Sequence, residues 1–413
     1  MVKLTAKFSF MEEYKLSDIA EVRTGPFGSQ LHNEDYVSTG TPIVTVEHLG
    51  NRRFSKQNLP LVSDDDKKRL SKYLLQEGDI VFSRVGSVDR CSYVTSAEND
   101  WLFSGRCLRV RCGNNCHPLF LYYYFCKESV KQYIKSIAVG ATMPSINTKL
   151  MAEIPILLPK LEEQRCIADI LSSFDDKIEL NRRINDNLEQ QAQALFKSWF
   201  VDFEPFRGGE FVDSELGLIP KGWRVVSLGE VTKQITEKVG NREDVTVLSP
   251  INSGELVLSE EYFTKQVFSK DLSKYLIVNP LSFAYNPARI NIGSIGLNTF
   301  DFVGCVSPVY VVFECEPNYQ YFFDFFKRTA MFKDEVALRA IGGVRQSLGY
   351  NDLSLIKIIY PTSDVVVEFN NIYLKMKEVM IKNTDQNEKF ISLRDSLLPK
   401  LMSGELKINE FNC

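Results

Sequence analysis

The sequence predicts an α+β protein, built as two duplicated, mixed α/β globules that are each followed by a long helix. Three observations lead there. Leu161 to Phe200 runs for forty residues without Pro or Gly, and its apolar residues fall at helical spacing: Ile167, Leu171, Phe174 and Ile178, then Leu188, Ala192, Leu195 and Trp199. Asp364 to Leu401 repeats the design with Val365, Phe369, Ile372, Met376 and Val379, then Phe390, Leu393 and Leu397. The two stretches also superpose without gaps at an offset of 202 residues, which sets Asn181 and Asn185 on Asn383 and Asn387. The register extends backwards, with Ile154, Ile156 and Pro159 on Ile356, Ile358 and Pro361, and Ala138, Gly140 and Ser145 on Ala340, Gly342 and Ser347. A duplicated chain explains the match. A forty-residue helix spans about 60 Å at about 1.5 Å per residue, and an apolar stripe of that length requires a partner helix. The second stretch is the expected partner.

The elements follow in order within each copy. Tyr14–Val22 reads as a strand or short helix leading into a loop marked by Gly25, Pro26 and Gly28. Residues 41–49 are β-like, and 63–75 are helical with Ser63 as the N-cap. Residues 78–86 hold a strand core, and 101–112 alternate as a half-buried strand does. A helix is expected over 117–137, with Pro118 in its first turn. The loop Ala138–Leu150 then leads to a strand at 153–158 and into the long helix. In the second copy, Trp223–Val231 resembles Tyr14–Val22. Strand-like pieces lie at 244–249, 281–286 and 302–313, a helix at 319–339, then a loop and the strand Leu355–Tyr360. The aromatic runs around Phe120–Phe125 and Tyr321–Phe326 read as helix core rather than as base-stacking platforms. Residues 201–223, rich in Gly, Pro and acids, form a connector.

Composition bounds the function. The chain has 413 residues, 44% of them hydrophobic and 25% charged, with a formal charge of −4. That is an ordinary globular balance, with no segment near the ~18 apolar residues of a membrane helix. The N-terminus lacks the apolar core and cleavage site of a secretory signal, so a cytoplasmic setting is expected. Nine irregularly spaced cysteines read as free thiols. No G-x-G or G-K-[ST] loop is present, which removes dinucleotide enzymes, motors and ATPases. Asn279-Pro280-Leu281 and Asn286-Pro287-Ala288 match the Asn-Pro-Pro-aromatic segment of amino-methyltransferases only in part and read as turns. His32, His48 and His117 are scattered, and Cys112, Cys116 and His117 lack further ligands at zinc spacing, so neither a catalytic centre nor a metal is expected.

The candidate binding residues lie in loops. Ser83, Arg84, Ser87 and Arg90 follow a strand in the first copy, and Asn286, Arg289 and Asn291 occupy the comparable place in the second. Before the long helices, one loop presents Thr142, Asn147 and Lys149 and the other Arg345, Gln346 and Tyr350. Arg, Asn, Gln and Lys are the side chains that read base edges in the DNA major groove or clamp phosphates. Polar residues also populate loops for no reason but solvation. Recurrence in both copies is what favours the binding reading.

At Leu158-Pro159, Glu163-Gln164 and the helix opening with Ile167 and Leu171, the chain resembles the specificity subunits of type I restriction–modification enzymes. The strand-loop Asp79–Ser87, the connector Phe203-Glu204-Pro205-Phe206 and the whole-chain layout extend the resemblance over essentially all 413 residues. In the second copy Pro361–Phe369 replaces the Glu-Gln helix start. The resemblance implies target recognition domains at 1–160 and 221–362, spacer helices at 161–202 and 363–413, and a linker at 203–220. It implies that each domain reads one half of a split double-stranded DNA target. The helices would pair as an antiparallel coiled coil that sets the gap between half-sites, seamed by Ile167, Leu171, Phe174, Ile178, Leu188, Leu195, Phe369, Ile372, Met376, Phe390, Leu393 and Leu397. The duplication would make the chain pseudo-twofold symmetric, with the four asparagines midway fixing register. Implied partners are two methyltransferase subunits, which would carry S-adenosylmethionine, and motor-nuclease subunits; the chain itself would bind no cofactor and catalyse nothing. The alternatives are a protein-binding coiled-coil scaffold, separable by its weak salt dependence, and a self-contained nuclease or methyltransferase, disfavoured by the missing motifs.

Overall fold

The computed structural model describes residues 11–28, 30–263, 268–339 and 347–406. The chain divides into two compact units. One joins the residues up to Asn181 with those from Thr384 onward, and the other is Arg182–Asn383.

In the first unit, an antiparallel sheet runs in the order Ala20–Thr24, Cys107–Cys112, Ile80–Ser83, Cys91–Tyr93. A second sheet orders Tyr36–Val37, Leu61–Val62, Thr41–Val44 and Leu102–Phe103, the last pair parallel. Glu12–Lys15 pairs separately with Pro155–Leu158, just before the long helix. The second unit has a closely related plan. Thr232–Ile235, Val311–Cys315, Phe283–Tyr285 and Ile295–Leu297 form one sheet, and Leu256–Leu258, Thr246–Pro250, Gly304–Val306 and Leu276–Val278 the other, again with one parallel pair. Arg224–Ser227 pairs with Lys357–Tyr360 before the second long helix. The shared order of the first sheet and the parallel pair in the second are the structural counterpart of the duplication, while the second sheets differ at their edges, with Tyr36–Val37 added at one end in the first unit and Leu276–Val278 at the other end in the second.

Local chemistry accounts for the element ends. Ser63 caps the helix Asp64–Arg69, its hydroxyl accepting from Asp66 N at 3.2 Å, with acids in the first turn and bases in the last, as the helix dipole favours. The helix expected over 117–137 is two helices, Pro118–Cys126 and Glu128–Ile137. Lys127 between them is extended, at φ −61° and ψ 133°. Phe120 to Phe125 are all buried in the first of these, as are Phe322, Phe323, Phe325 and Phe326 in its counterpart Gln320–Phe326. Helices buried on every side suit core packing and leave no face for stacked bases. The strand 107–112 also differs from expectation. Cys107 through Val110 are all buried, because the strand is covered on both faces. Arg109 is therefore enclosed and ion-paired to Glu21 at 2.6 Å, while Arg111 grips buried Asp79 with two 2.7 Å bonds. Part of the expected connector folds as a hairpin, Phe211–Ser214 with Gly217–Pro220.

The long helices are Leu161–Phe200 and Ser363–Ser403. Within the first unit, the Phe174 and Phe390 rings lie 6.1 Å apart, Arg394 Nη1 donates to Asp175 Oδ1 at 2.5 Å, and Asn181 Nδ2 donates to Asn387 Oδ1 at 3.0 Å. Within the second, Asn383 Nδ2 donates to Asn185 Oδ1 at 2.8 Å, and Phe369 packs on Phe196 and Phe200 at 5.8 and 5.2 Å. From Phe174–Phe390 to Asn181–Asn387 in the first unit, and from Asn185–Asn383 to Phe200–Phe369 in the second, the partner's number falls as the first helix advances.

The seam differs from the one that periodicity predicts. Ile167, Leu171, Ile178 and Phe369 are buried, and Phe174, Leu188, Leu195, Ile372, Met376, Phe390 and Leu397 are half-buried. Leu393 is 48% exposed and Val379 43% exposed. Phe196, Phe200, Val366, Tyr373 and Leu398 are buried as well, each one residue after an expected position, and Arg394 takes the place expected for Leu393. The buried stripe keeps the expected phase at Ile167, Leu171, Ile178, Ala192 and Phe369 and is offset by one residue at the other positions named. Apolar side chains stand at both candidate positions, so periodicity alone admits either phase, and the packed partner selects one.

Candidate nucleic-acid interface

In the first unit, the strand Ile80–Ser83 ends in a turn closed by Ser83 N donating to Arg90 O at 2.9 Å. Ser83 itself is buried, and its hydroxyl donates to Val85 O at 2.7 Å, so it shapes the turn from inside. Arg84 is half-buried, with Nη1 3.3 Å from Gly105 O and its guanidinium 5.2 Å over the Phe27 ring. Ser87 and Arg90 are exposed. The loop expected before the long helix comes to the same place. Gly86 N donates to Pro144 O at 2.8 Å, and Ile146 N to Arg84 O at 3.0 Å. Val139 and Ser145 exchange two 2.8 Å backbone bonds, making a tip that exposes Thr142, Val139 and Met143. Asn147 is spent as the N-cap of the short helix Thr148–Ala152, accepting from Leu150 N at 2.9 Å, and Lys149 is exposed on that helix.

Two contributors were missed by sequence reasoning. Arg106 is exposed, and its carbonyl accepts from Arg84 N at 2.8 Å, so Arg84 and Arg106 stand on joined turns. Phe27 is 50% exposed beneath Arg84. These turns meet through close backbone approach. A Cβ on Gly25 would sit 2.2 Å from Ser104 O, and one on Gly105 2.4 Å from Pro26 O. The Gly105-Arg106 turn between two strands was the available signal, but nothing local shows which other loop it meets.

In the second unit, Asn286 Oδ1 accepts from Ala288 N at 3.0 Å, and Arg289 N donates to Asn286 O at 2.9 Å. The turn presents Arg289 and Asn291 to solvent, with Ile292 57% exposed. Leu348 N donates to Pro287 O at 3.1 Å. Leu348 stands 202 residues after Ile146, so the same loop-to-loop bond joins the two predicted loops in each unit. Tyr350 turns away from this cluster: its hydroxyl lies 3.0 Å from Thr232 Oγ1 and its ring packs on Phe313 at 6.3 Å. Its place is in the fold rather than on a DNA face. Arg345 and Gln346 lie outside the described residues.

The histidine and cysteine positions weighed in the sequence make local contacts. His48 is buried, held by Thr45 and by Gln57 O at 3.1 Å. Cys112 and Cys116 have sulfurs 3.7 Å apart, and no group of three metal-ligating side chains occurs among the described residues. Cys166 is disulfide-bonded, unlike the free thiol expected there. No helix of the described residues is long and apolar enough to cross a membrane.

Exposed guanidiniums and amides on paired loops, carried by an α/β scaffold, are groups of the kind that meet base edges and phosphates. Comparison with known proteins agrees. Residues 9–190 match the family model of the type I restriction modification DNA specificity domain. The MjaIX specificity subunit of Methanocaldococcus jannaschii is 26% identical, over 96% of this chain and 93% of that one. The HindI specificity subunit of Haemophilus influenzae is 24% identical, over 96% and 99%. The crystal structure of a type I restriction-modification S subunit from M. genitalium shares the fold, with a TM-score of 0.57 at 16% identity over 97% and 98%. Along nearly its whole length the chain is similar to type I restriction–modification specificity subunits.

Proposed function

We propose that this chain is the non-catalytic, cytoplasmic specificity subunit of a type I restriction–modification complex, each recognition domain reading one half of a bipartite double-stranded DNA target. The observation that carries the reading is the recurrence of one loop junction, Ile146 N to Arg84 O and Leu348 N to Pro287 O, beneath exposed Arg90 in one unit and Arg289 and Asn291 in the other. Two readers of one design suit two half-sites, and exposed Arg and Asn suit guanine and adenine edges.

The two long helices form the spacer in this reading, as an antiparallel coiled coil in a pseudo-twofold molecule. The asparagine contacts Asn181–Asn387 and Asn383–Asn185 support a register role. Half-sites read by paired modules lie at spacings set by the protein, about 34–36 Å per DNA turn. Two methyltransferase subunits dock on the chain and carry S-adenosylmethionine, and motor-nuclease subunits complete the complex. A net charge of −4 fits a reader whose partners supply phosphate contacts.

The test is methylome sequencing of cells expressing this chain with its methyltransferase partner, against cells lacking the chain. A new N6-methyladenine motif in two short halves with a fixed gap is expected. An intact complex that leaves no motif would overturn DNA reading. Failure to form a complex at all would favour the scaffold reading.

A further inference from the structure

Each unit carries a cavity behind its reading turn. In the first unit the cavity, about 650 Å³, is bounded by Asn51, the turn Gly86–Cys91, Cys126 and Lys131. In the second, a cavity of about 360 Å³ is bounded by Ser253, Ile290–Gly293, Arg328 and Lys333. Asn51 and Ser253, Cys126 and Arg328, and Lys131 and Lys333 all stand 202 residues apart, so this is one cavity in two copies. The copies differ in chemistry. Where the first has Cys91 and Cys126, the second has Gly293 and Arg328.

Cys91 opens the strand that follows Arg90, and Cys126 ends the aromatic helix Pro118–Cys126. Cys91, Tyr122 and Cys126 line this one cavity, where the strand meets the helix with the Tyr93 and Tyr122 rings 5.9 Å apart. The neighbouring Cys91 thiol, the Tyr122 hydroxyl and the Lys131 ammonium hold the Cys126 thiol below its ordinary range, against burial and the Asp175 carboxylate. Lys127, Glu128 and Arg394 line the open space on its other side. The other thiols are placed differently. Burial pushes Cys107 up to about 12 and Cys305 up to about 11, and the Cys116 sulfur and burial push Cys112 up as well. Cys126 is half-buried at an open cavity, so a small reagent has access.

We propose that Cys126 is an oxidation-sensitive nucleophile and Cys91 its resolving partner, so that a hydroperoxide entering the first cavity closes the two into an intrachain disulfide. The Cys126 thiolate attacks a peroxide oxygen, the O–O bond breaks, and the leaving hydroxide takes up a proton as water. The Cys91 sulfur then attacks the resulting sulfenic sulfur, the S–O bond breaks and a second water leaves. Two thiols lose two electrons and hydrogen peroxide becomes two waters. The consequence for DNA rests on the reading above: the new bond ties the base of the turn bearing Arg84 and Arg90 to the end of the aromatic helix. Only the first half-site is affected, because the second cavity has no thiol pair.

The test treats the full chain with hydrogen peroxide and maps peptides without reduction. A Cys91–Cys126 crosslink is expected before any Cys112–Cys116 crosslink, with dimedone trapping Cys126 in the Cys91→Ser variant. A Cys112–Cys116 crosslink alone, or no selectivity for Cys126, overturns the proposal. In the assembled complex, oxidation is expected to lower affinity at least tenfold for targets with an intact first half. Cys126→Ser is expected to abolish the effect. A crosslink that leaves DNA affinity unchanged overturns the coupling to the reading turn. A reduced complex that ignores DNA sequence overturns the DNA reading instead, while the peptide map still decides for or against the thiol pair by itself.

Discussion

Gln164 shows how much one buried amide can organise. It is 1% exposed, accepts from His117 N at 2.8 Å, and donates to Asn115 O at 3.3 Å and Pro159 O at 2.9 Å. The first turn of the long helix is thereby fastened to the loop that starts the aromatic helix. Gln164→Leu keeps the volume but strands three backbone groups, and is expected to cost roughly 2–3 kcal/mol in urea unfolding. Gln164→Glu, unable to donate to either carbonyl, should be no better. His117 beside it gives a pH signature. Burial lowers its pKa, with Asp169 opposing and Arg165 adding, and its Nδ1 has no hydrogen-bond partner. A depressed folded pKa means that the unfolded chain takes up the proton first. The His117 contribution is therefore complete above the unfolded value near 6.5 and is lost as pH falls below it. The urea midpoint should drop between pH 7.5 and 5.5, and less so in His117→Gln. The Glu-Gln pair was visible in the sequence as a helix start. The partners of Gln164 were not, because they lie 47 and 49 residues away along the chain.

At the scale of elements, Asp175 joins three of them. It accepts from Arg394 of the second long helix at 2.5 Å and from the Tyr123 hydroxyl of the aromatic helix at 2.6 Å, with Arg52 Nη1 3.9 Å away. The carboxylate side chain is only 10% exposed, so removing its main partner leaves a buried charge underpaired. Arg394→Leu is expected to destabilise by roughly 3 kcal/mol. Arg394→Leu with Asp175→Asn should recover much of that loss, a coupling that a double-mutant cycle measures. If the single and double variants lose equal stability, the pair does not lock the elements together. Leu393 was the residue that periodicity favoured at this point of the seam. An arginine at an inward position is invisible to an apolar pattern, since it is defined only by the aspartate that meets it.

For the whole molecule, the proposed function makes the two duplicated units separate readers. Arg90 and Arg289 are exposed and belong to different units, so each should report on one half of the target. Arg90→Ala is expected to relax one half of the motif and Arg289→Ala the other, each by about 1–3 kcal/mol of discrimination if the guanidinium reads a base. A phosphate contact would instead weaken all sequences alike and reduce the salt slope by about 0.9. Binding titrations of the assembled complex at several salt concentrations separate these outcomes. The double variant should add the two single effects to within about 0.5 kcal/mol.

Several features needed only the sequence. The two long helices follow from long stretches of periodic apolar residues, the first of them free of Gly and Pro, and the duplication from a constant offset, since both are properties of order along the chain. The loops rich in Arg and Asn were equally visible. Tertiary structure decided which of their side chains remain free: Ser83, Asn147, Asn286 and Tyr350 satisfy their own fold, while Arg90, Arg289 and Asn291 face solvent. It also decided the one-residue phase of the helix seam, the break at Lys127 and the burial of Arg109. A hydrogen bond or a buried charge is settled by the group that comes to meet it, and that group is chosen by folding rather than by neighbouring residues.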